Sequence, residues 1–299
     1  MFDTIIVGGS AAGLTAAIYL GRFRRSVLII DSQKPANRFS HAAHNFFTRD
    51  GVAPAELLSI GREQLKQYDT VQIQTGEMTD IQPDGEHFTV TLADGSSQSA
   101  RRILLAMGMK DTLPPLAGLD QFWGTSAFHC PYCDGWEQRD KPVALYGRGD
   151  QAIHVAKLLR VLTANLVICT DGATDFNASQ QALLTKHNIR VIETPVSRLD
   201  GRDGQLEQVV FADGSTLARA SIFVRPVVTQ HSDIAARLGC EMTPNGLVKV
   251  DQQGGTTVAG IYAAGDMAHP FRQVGVAAAQ GAMTGAGINS DIVAEDFAE

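Results

Sequence analysis

Cysteine is scarce, with four in 299 residues. That is too few and too dispersed for the disulfide framework of a small secreted domain. Positive charge is in deficit, at a net −7, and no cluster of Lys and Arg offers the electrostatic footprint of a nucleic-acid surface. No apolar run approaches the ~20 residues that span a bilayer, because the Ala/Gly-rich stretch after Val274 is interrupted by Gln280. Room for a signal peptide is lacking as well, since Met1 is followed almost at once by the strand-like run Ile5-Ile6-Val7. The expectation is a cytoplasmic protein with no transmembrane segment and no nucleic-acid partner. What remains is 44% hydrophobic and 19% charged, the composition of a globular chain long enough for one large or two ordinary domains.

Two of the four cysteines stand close together, in Phe128–Glu137, FHCPYCDGWE. Cys130 and Cys133 are spaced to close a small disulfide ring, and Asp134 follows directly as a group able to move a proton when the ring opens. Such a pair works through thiolate character and access. The same CPYC string serves glutaredoxins, but there it opens a helix in a far shorter domain. A zinc site would need two further ligands at suitable spacing. Cys169 and Cys240 are isolated and read as buried small hydrophobes, so no metal is expected. Trp123 and Trp136 flank the thiols and read as core packing. His129 is open between tuning the thiols and a structural role.

The N-terminus reads strand, glycine turn, helix, strand. A β-branched run passes through Gly8-Gly9-Ser10-Ala11-Ala12-Gly13 into a small-residue helix, and Val27 to Ile30 then run into Asp31. This is a dinucleotide fingerprint in its proper context: small residues admit a pyrophosphate to the helix N-terminus, and the terminal acid can take ribose hydroxyls. A helix is expected from Ala53 to about Tyr68, followed by two hairpins, VQIQTGEMTDIQ and the pair around Ala93-Asp94-Gly95. A second strand–turn–helix opens at Pro142, with Gly147-Arg148-Gly149 as its turn. Breaks at Leu113-Pro114-Pro115 and Thr243-Pro244-Asn245-Gly246 suggest domains of 1–113 with 246–299, and 114–245 between them.

Together the N-terminal glycine motif, Ala106-Met107-Gly108, CxxCD, the second glycine turn and the C-terminal Ala-Ala-Gly265-Asp266 followed by Arg-Gln273-Val274 resemble the low-molecular-weight thioredoxin reductases, over nearly the whole chain. The resemblance implies an α/β protein of two Rossmann-like three-layer dinucleotide-binding domains, the second inserted into the first, and a homodimer. It implies FAD held by Gly8, Ser10, Ala11, Ala12 and Gly13 at the pyrophosphate and by Asp31 at the ribose. Gly265 and Asp266 would reach the ribityl or phosphate part, Gln273 and Val274 the flavin ring, and Asn45 the flavin loop. Cys133 would exchange electrons with the flavin, Cys130 with an external dithiol or disulfide on a small protein or small molecule, and Asp134 would act as acid and base to both.

One departure stands out. Members of that family that use NADPH carry a His-Arg-Arg cluster and a further Arg for the 2′-phosphate. Here the same place reads Cys169-Thr170-Asp171-Gly172, with Asp175 beyond, and carboxylates repel a phosphate. That argues against NADP(H). It leaves NAD(H), with Asp171 on the ribose diol, or a second flavin, or nothing, for the middle domain. The HCPYCDGWE and GGSAAGL strings look closer to relatives that dispense with NADPH: dithiol oxidases of holomycin- and gliotoxin-type pathways, and ferredoxin-linked or two-flavin enzymes. The rival readings are an ordinary NAD(P)H-driven thioredoxin reductase, a non-catalytic flavin-binding redox sensor, and a plain NAD dehydrogenase.

Overall fold

The computed structural model describes residues 1–298, which form two compact units. One comprises Met1–Arg38, Asn45–Lys110 and the segment from Thr229 onward; the other comprises Phe39–His44 and Asp111–Val228. The chain therefore leaves the first unit near the expected 113/114 break but returns at 228/229, earlier than the expected 245/246. The reason is apolar burial. Ile234, Ala235, Cys240 and Val248 belong to the same core cluster as Ile5, Val7, Ile103 and Leu105. The Thr243–Gly246 break is a local turn inside that unit, with the Gly246 N–H donating to the Thr243 carbonyl at 2.9 Å.

In the first unit, strands Val71–Thr75, Val27–Asp31, Phe2–Val7 and Ser97–Leu105 lie side by side in that order, and Ile261–Ala263 joins the last of them in parallel. Val27–Asp31 is buried along its whole length, as a parallel strand covered on both faces must be. Alternation sorts its neighbours. Ile5, Val7, Ile103 and Leu105 face one layer with Ile81, Val90 and Leu92. Ile6, Ile29 and Leu104 face the helices, among Ala16, Ala17, Leu20, Ile288 and Ile292. The helix expected from Ala53 runs over Pro54–Leu65.

The stretch VQIQTGEMTDIQ is not a hairpin. Val71–Thr75 pairs in parallel with Val27–Asp31, whereas Met78–Asp84 pairs antiparallel with His87–Leu92. The half-apolar first run completes the edge of the buried sheet, and the turn falls at Gly85 instead. The hairpin of His87–Leu92 with Ser97–Leu105 forms as expected.

The middle unit is a parallel sheet in the order Arg190–Ile192, Leu166–Cys169, Val143–Tyr146, Ser221–Val224, Ala127–Phe128. Helices Gly149–Leu162 and Ala178–Lys186 cover one face through Ile153, Ala156, Leu159 and Leu184. An antiparallel sheet of Val196–Arg202, Gln205–Phe211 and Thr216–Ala218 covers the other through Leu199, Val209 and Phe211. Each unit is thus layered around a parallel sheet, the architecture expected of a dinucleotide fold.

Candidate active site

The thiol stretch lies wholly in the middle unit. After the strand Ala127–Phe128 the chain turns into a single helical turn, Pro131–Asp134, with Cys130 as its N-terminal flanking residue. Proline at the first helical position suits that start, since its missing N–H has no helical acceptor there. The turn brings the two sulfurs together. Cys133 hydrogen-bonds the Cys130 sulfur through its thiol, and the backbone N–H groups of Cys133 and Tyr132 also point to it. These donors favour the thiolate and hold Cys130 below the ordinary thiol range, against opposition from burial and the Asp134 charge. Cys130 is thus held toward the thiolate, the form in which a cysteine attacks.

Asp134 sits at the end of the same turn, its N–H donating to the Cys130 carbonyl at 3.2 Å. Burial, and then the nearby Glu137 carboxylate, push its acid up to about 7, while His44 pulls the other way. His44 lies 3.7 Å from Glu137, a pairing that depends on the segment Phe39–His44 belonging to the middle unit. Neither His44 nor Glu137 is marked by the CxxCD motif; Glu137 was legible only as an acid one helical turn after Asp134. His129 is exposed and stacks on half-buried Trp123, ring centroids 5.8 Å apart.

Trp136 is not core: it is 64% exposed, with the Arg139 guanidinium 4.2 Å over its ring. The one-turn helix is too short to bury a face, so its aromatic neighbours Tyr132 and Trp136 both project outward. Cys169 and Cys240 are buried. Burial pushes Cys169 up to about 11 and raises Cys240 too, so both are chemically quiet.

The predicted cofactor residues assemble in the first unit. Gly8, with φ +115°, closes the turn against the Ala106 carbonyl, and a Cβ on Gly13 would lie 1.9 Å from the Gly8 carbonyl oxygen. Ser10 flanks the helix Ala11–Arg22, which has no acid in its first turn; that end suits an anion. Asp31 is buried beside Gly9 and accepts from the Gln33 N–H at 3.0 Å and from Arg62 at 2.8 Å. From the C-terminal segment of the unit, Gly265 packs beside Ala12 of the same turn, and its N–H donates to Gln280 at 2.7 Å. Asp266 is ion-paired with Arg272 at 3.2 Å. Gln273 and Val274 open the C-terminal helix Val274–Asp296. Asn45, in left-handed backbone at φ +62°, lies with Phe46 beside Gly275 of that helix. Arg62 was not singled out from sequence, and Arg272 and Gln280 were read only as part of the Arg-Gln-Val string and as a polar break, because a glycine motif does not name the side chains that brace it.

The second glycine turn lies at the end of Val143–Tyr146, where the sheet order reverses between Leu166–Cys169 and Ser221–Val224. Open α/β sheets bind ligands at such a point. Asp171 does not face outward for a ribose. Its two oxygens accept from Tyr146 Oη and the Val196 N–H, each at 2.8 Å. Burial and that carboxylate push Tyr146 up to about 12. Arginine is present at this strand end after all: Arg148 donates to the carbonyls of Thr170 and Asp171 at 2.5 and 2.6 Å. Among the described residues no group of three or more His, Cys, Asp or Glu could hold a metal ion, and no helix is long and apolar enough to cross a membrane.

Comparison with known proteins agrees with this geometry. The chain is 29% identical over 317 residues to the thioredoxin reductase sirT of Leptosphaeria maculans, spanning 100% of this chain and 96% of that protein. It is 29% identical over 311 residues to the thioredoxin reductase tcpT of Claviceps purpurea, spanning 98% and 95%. The crystal structure of an oxidoreductase from Agrobacterium tumefaciens superposes with a TM-score of 0.91 at 37% identity, over 98% of both chains. The family model for pyridine nucleotide-disulphide oxidoreductases matches residues 2–283. With two layered dinucleotide folds and a paired CxxC in one of them, the chain belongs to the pyridine nucleotide-disulphide oxidoreductases, as a thioredoxin-reductase-like enzyme of that family.

Proposed function

We propose that this enzyme is a FAD-dependent dithiol/disulfide oxidoreductase that passes electrons between FAD, the Cys130–Cys133 pair and an external dithiol or disulfide, without NADPH. The observation that carries the reading is the Cys130–Cys133 pair with Asp134 beside it. Cys130 is held toward thiolate by three donors, and Asp134 beside it titrates at about 7. A general acid–base group works best when its pKa lies near the working pH.

In the oxidising direction Asp134 takes the proton of one substrate thiol, and the resulting thiolate attacks Cys130 Sγ of the enzyme disulfide. The S–S bond breaks, and Cys133 leaves as a thiolate that takes the Asp134 proton. The second substrate thiol then gives its proton to Asp134 and attacks the substrate sulfur held in the mixed disulfide, closing the substrate disulfide and releasing Cys130 as a thiolate. Two electrons and two protons have moved from substrate to enzyme, and reduction of a disulfide runs the same steps backward. The substrate is a dithiol or disulfide on a small protein or small molecule.

The residues of the first unit fit FAD. The turn leaves no room for a side chain at Gly8, Gly9 or Gly13, the helix beyond it carries no acid in its first turn, and the braced carboxylates Asp31 and Asp266 belong to the same unit. Gly8, Ser10, Ala11, Ala12 and Gly13 would hold the pyrophosphate and Asp31 the ribose. Gly265 and Asp266 would meet the ribityl or phosphate part, with Gln273, Val274 and Asn45 near the ring. When bound, FAD supplies the two-electron chemistry that the thiols draw on. The first unit is thus the FAD-binding domain, and a cytoplasmic homodimer completes the proposal.

Independence from NADPH is supported by the strand end Cys169-Thr170-Asp171-Gly172, with carboxylates in place of the arginine cluster and Arg148 committed to backbone carbonyls. The names of the fungal relatives favour a second reading, an NAD(P)H-driven thioredoxin reductase. Anaerobic titration separates the two: a small dithiol should bleach the flavin while micromolar NADPH leaves it oxidised. Rapid bleaching by NADPH would defeat the first reading, and dithiol oxidation that survives Cys133→Ser would defeat the thiol mechanism.

A further inference from the structure

The turn Gly147-Arg148-Gly149 starts the helix Gly149–Leu162 at the point where the middle sheet reverses its strand order. In folds of this kind the diphosphate of a dinucleotide lies against that turn and the helix end, drawn by N–H groups and the dipole. Here a carboxylate of the chain itself is already there. The Gly149 N–H donates to Asp175 Oδ1 at 3.0 Å. At Gly149, φ +69°, the space where a Cβ would stand has one neighbour within 4 Å, Asp175 Oδ2 at 3.6 Å. Gly149 thus presents its bare face to a carboxylate instead of to a ligand.

The loop that carries Asp175 is fixed from behind. Phe176 is buried in the helix-side core of the unit, and its carbonyl accepts from Gln181 at 2.8 Å. Glu193 accepts from the Thr174 N–H at 2.8 Å through its side chain and from the Gly172 N–H at 2.8 Å through its carbonyl. Asn177 then starts the next helix with a reciprocal capping box to Gln180, and Gln180 also reaches Asp150 at 2.6 Å. Asp150 puts a second carboxylate in the first turn of the glycine-turn helix. The groups a dinucleotide would otherwise use are engaged within the fold: Asp171 by Tyr146 and Val196, Arg148 by two carbonyls.

We infer that Asp175 is an internal anion that fills the diphosphate position of the middle unit and excludes NADH as well as NADPH. It is a specificity-determining residue acting by occupancy and charge. The inference rests on the proposed independence from NADPH and supplies a structural cause for it. A dinucleotide must displace the carboxylate from Gly149 and place its own two negative charges beside those of Asp175 and Asp150, both solvent-exposed, so that Coulomb repulsion opposes it most strongly at low ionic strength.

The test is calorimetric titration of the flavin-loaded protein with NADH, comparing wild type with Asp175→Ala and Asp175→Asn. The alanine variant should bind NADH at least about tenfold more tightly, since it frees the N–H and removes a charge. The asparagine variant, which keeps an acceptor but loses the charge, should fall between. Equal NADH affinity in all three proteins, or weaker binding in both variants, would overturn the inference. Flavin bleaching of the wild type by NADPH is scored separately and bears on the donor reading. Such bleaching would also remove the exclusion of NADPH from the inference, whereas the ratio of NADH affinities tests by itself whether Asp175 blocks the turn at Gly149.

Discussion

Cys130 stands three positions before Cys133, and one helical turn aims the N–H groups of Tyr132 and Cys133 at its sulfur. Replacing Cys133 with Ala removes the thiol donor that contributes most to the Cys130 shift. Iodoacetamide alkylation followed against pH should therefore show the Cys130 midpoint move upward in Cys133→Ala; an unmoved midpoint would show that the Cys133 thiol does not hold Cys130 toward the thiolate. Asp134 gives a second prediction. Its acid is raised from 3.8 to about 7 by burial and Glu137, so the folded protein holds a proton that the unfolded chain gives up. That contribution to stability is complete below about pH 4 and is lost as pH rises through about 7. Melting temperatures should accordingly fall less between about pH 5 and about pH 8 in Asp134→Asn than in wild type. The same variant should lose about a hundredfold in dithiol turnover, the usual worth of a positioned proton carrier. CxxCD was legible at this scale because its chemistry is local in the chain. His44, 93 positions before Glu137 by numbering, was not, because only folding brings the two within 3.7 Å.

Among the elements, the C-terminal helix Val274–Asp296 shows why a run of small residues need not span a membrane. Its glycines let it lie directly on the backbone of the helix Ala11–Arg22, and a Cβ on Gly281 would stand 2.1 Å from the Ala12 carbonyl oxygen. Backbone cannot retreat as a side chain can. Gly281→Ala should therefore cost about 2 kcal/mol or more in denaturant unfolding. It should also weaken FAD retention, since Ala12 belongs to the pyrophosphate turn. Gly95→Ala, in an open turn at φ +83°, should cost only about 1 kcal/mol. Elements with a strict period were readable: the strand–turn–helix openings at Thr4 and Pro142 and the hairpin around Asp94 form where expected. Val71–Thr75 was misassigned to a hairpin because a short half-apolar run carries no mark of whether its partner is parallel or antiparallel.

For the whole molecule, the proposal requires one cofactor site, not two. Denaturing extraction should release one FAD per chain. Two flavins per chain would mean that the middle unit accommodates a ligand where Asp175 stands. Order along the chain determined the family: two glycine turns, each between strand and helix, with CxxCD between them and Gly-Asp near the end. Each of these signals is set by backbone geometry over a few neighbouring residues, so together they could be read from the sequence as a resemblance to that family. Tertiary structure decided the rest. It moved the return to the first unit from 246 to 229, because apolar residues between those points complete that unit's core. It turned Asp171 inward to Tyr146 and Val196 and set Asp175 on Gly149. A carboxylate's role depends on which donors meet it in space, and those donors come from strands and loops that the linear order keeps apart.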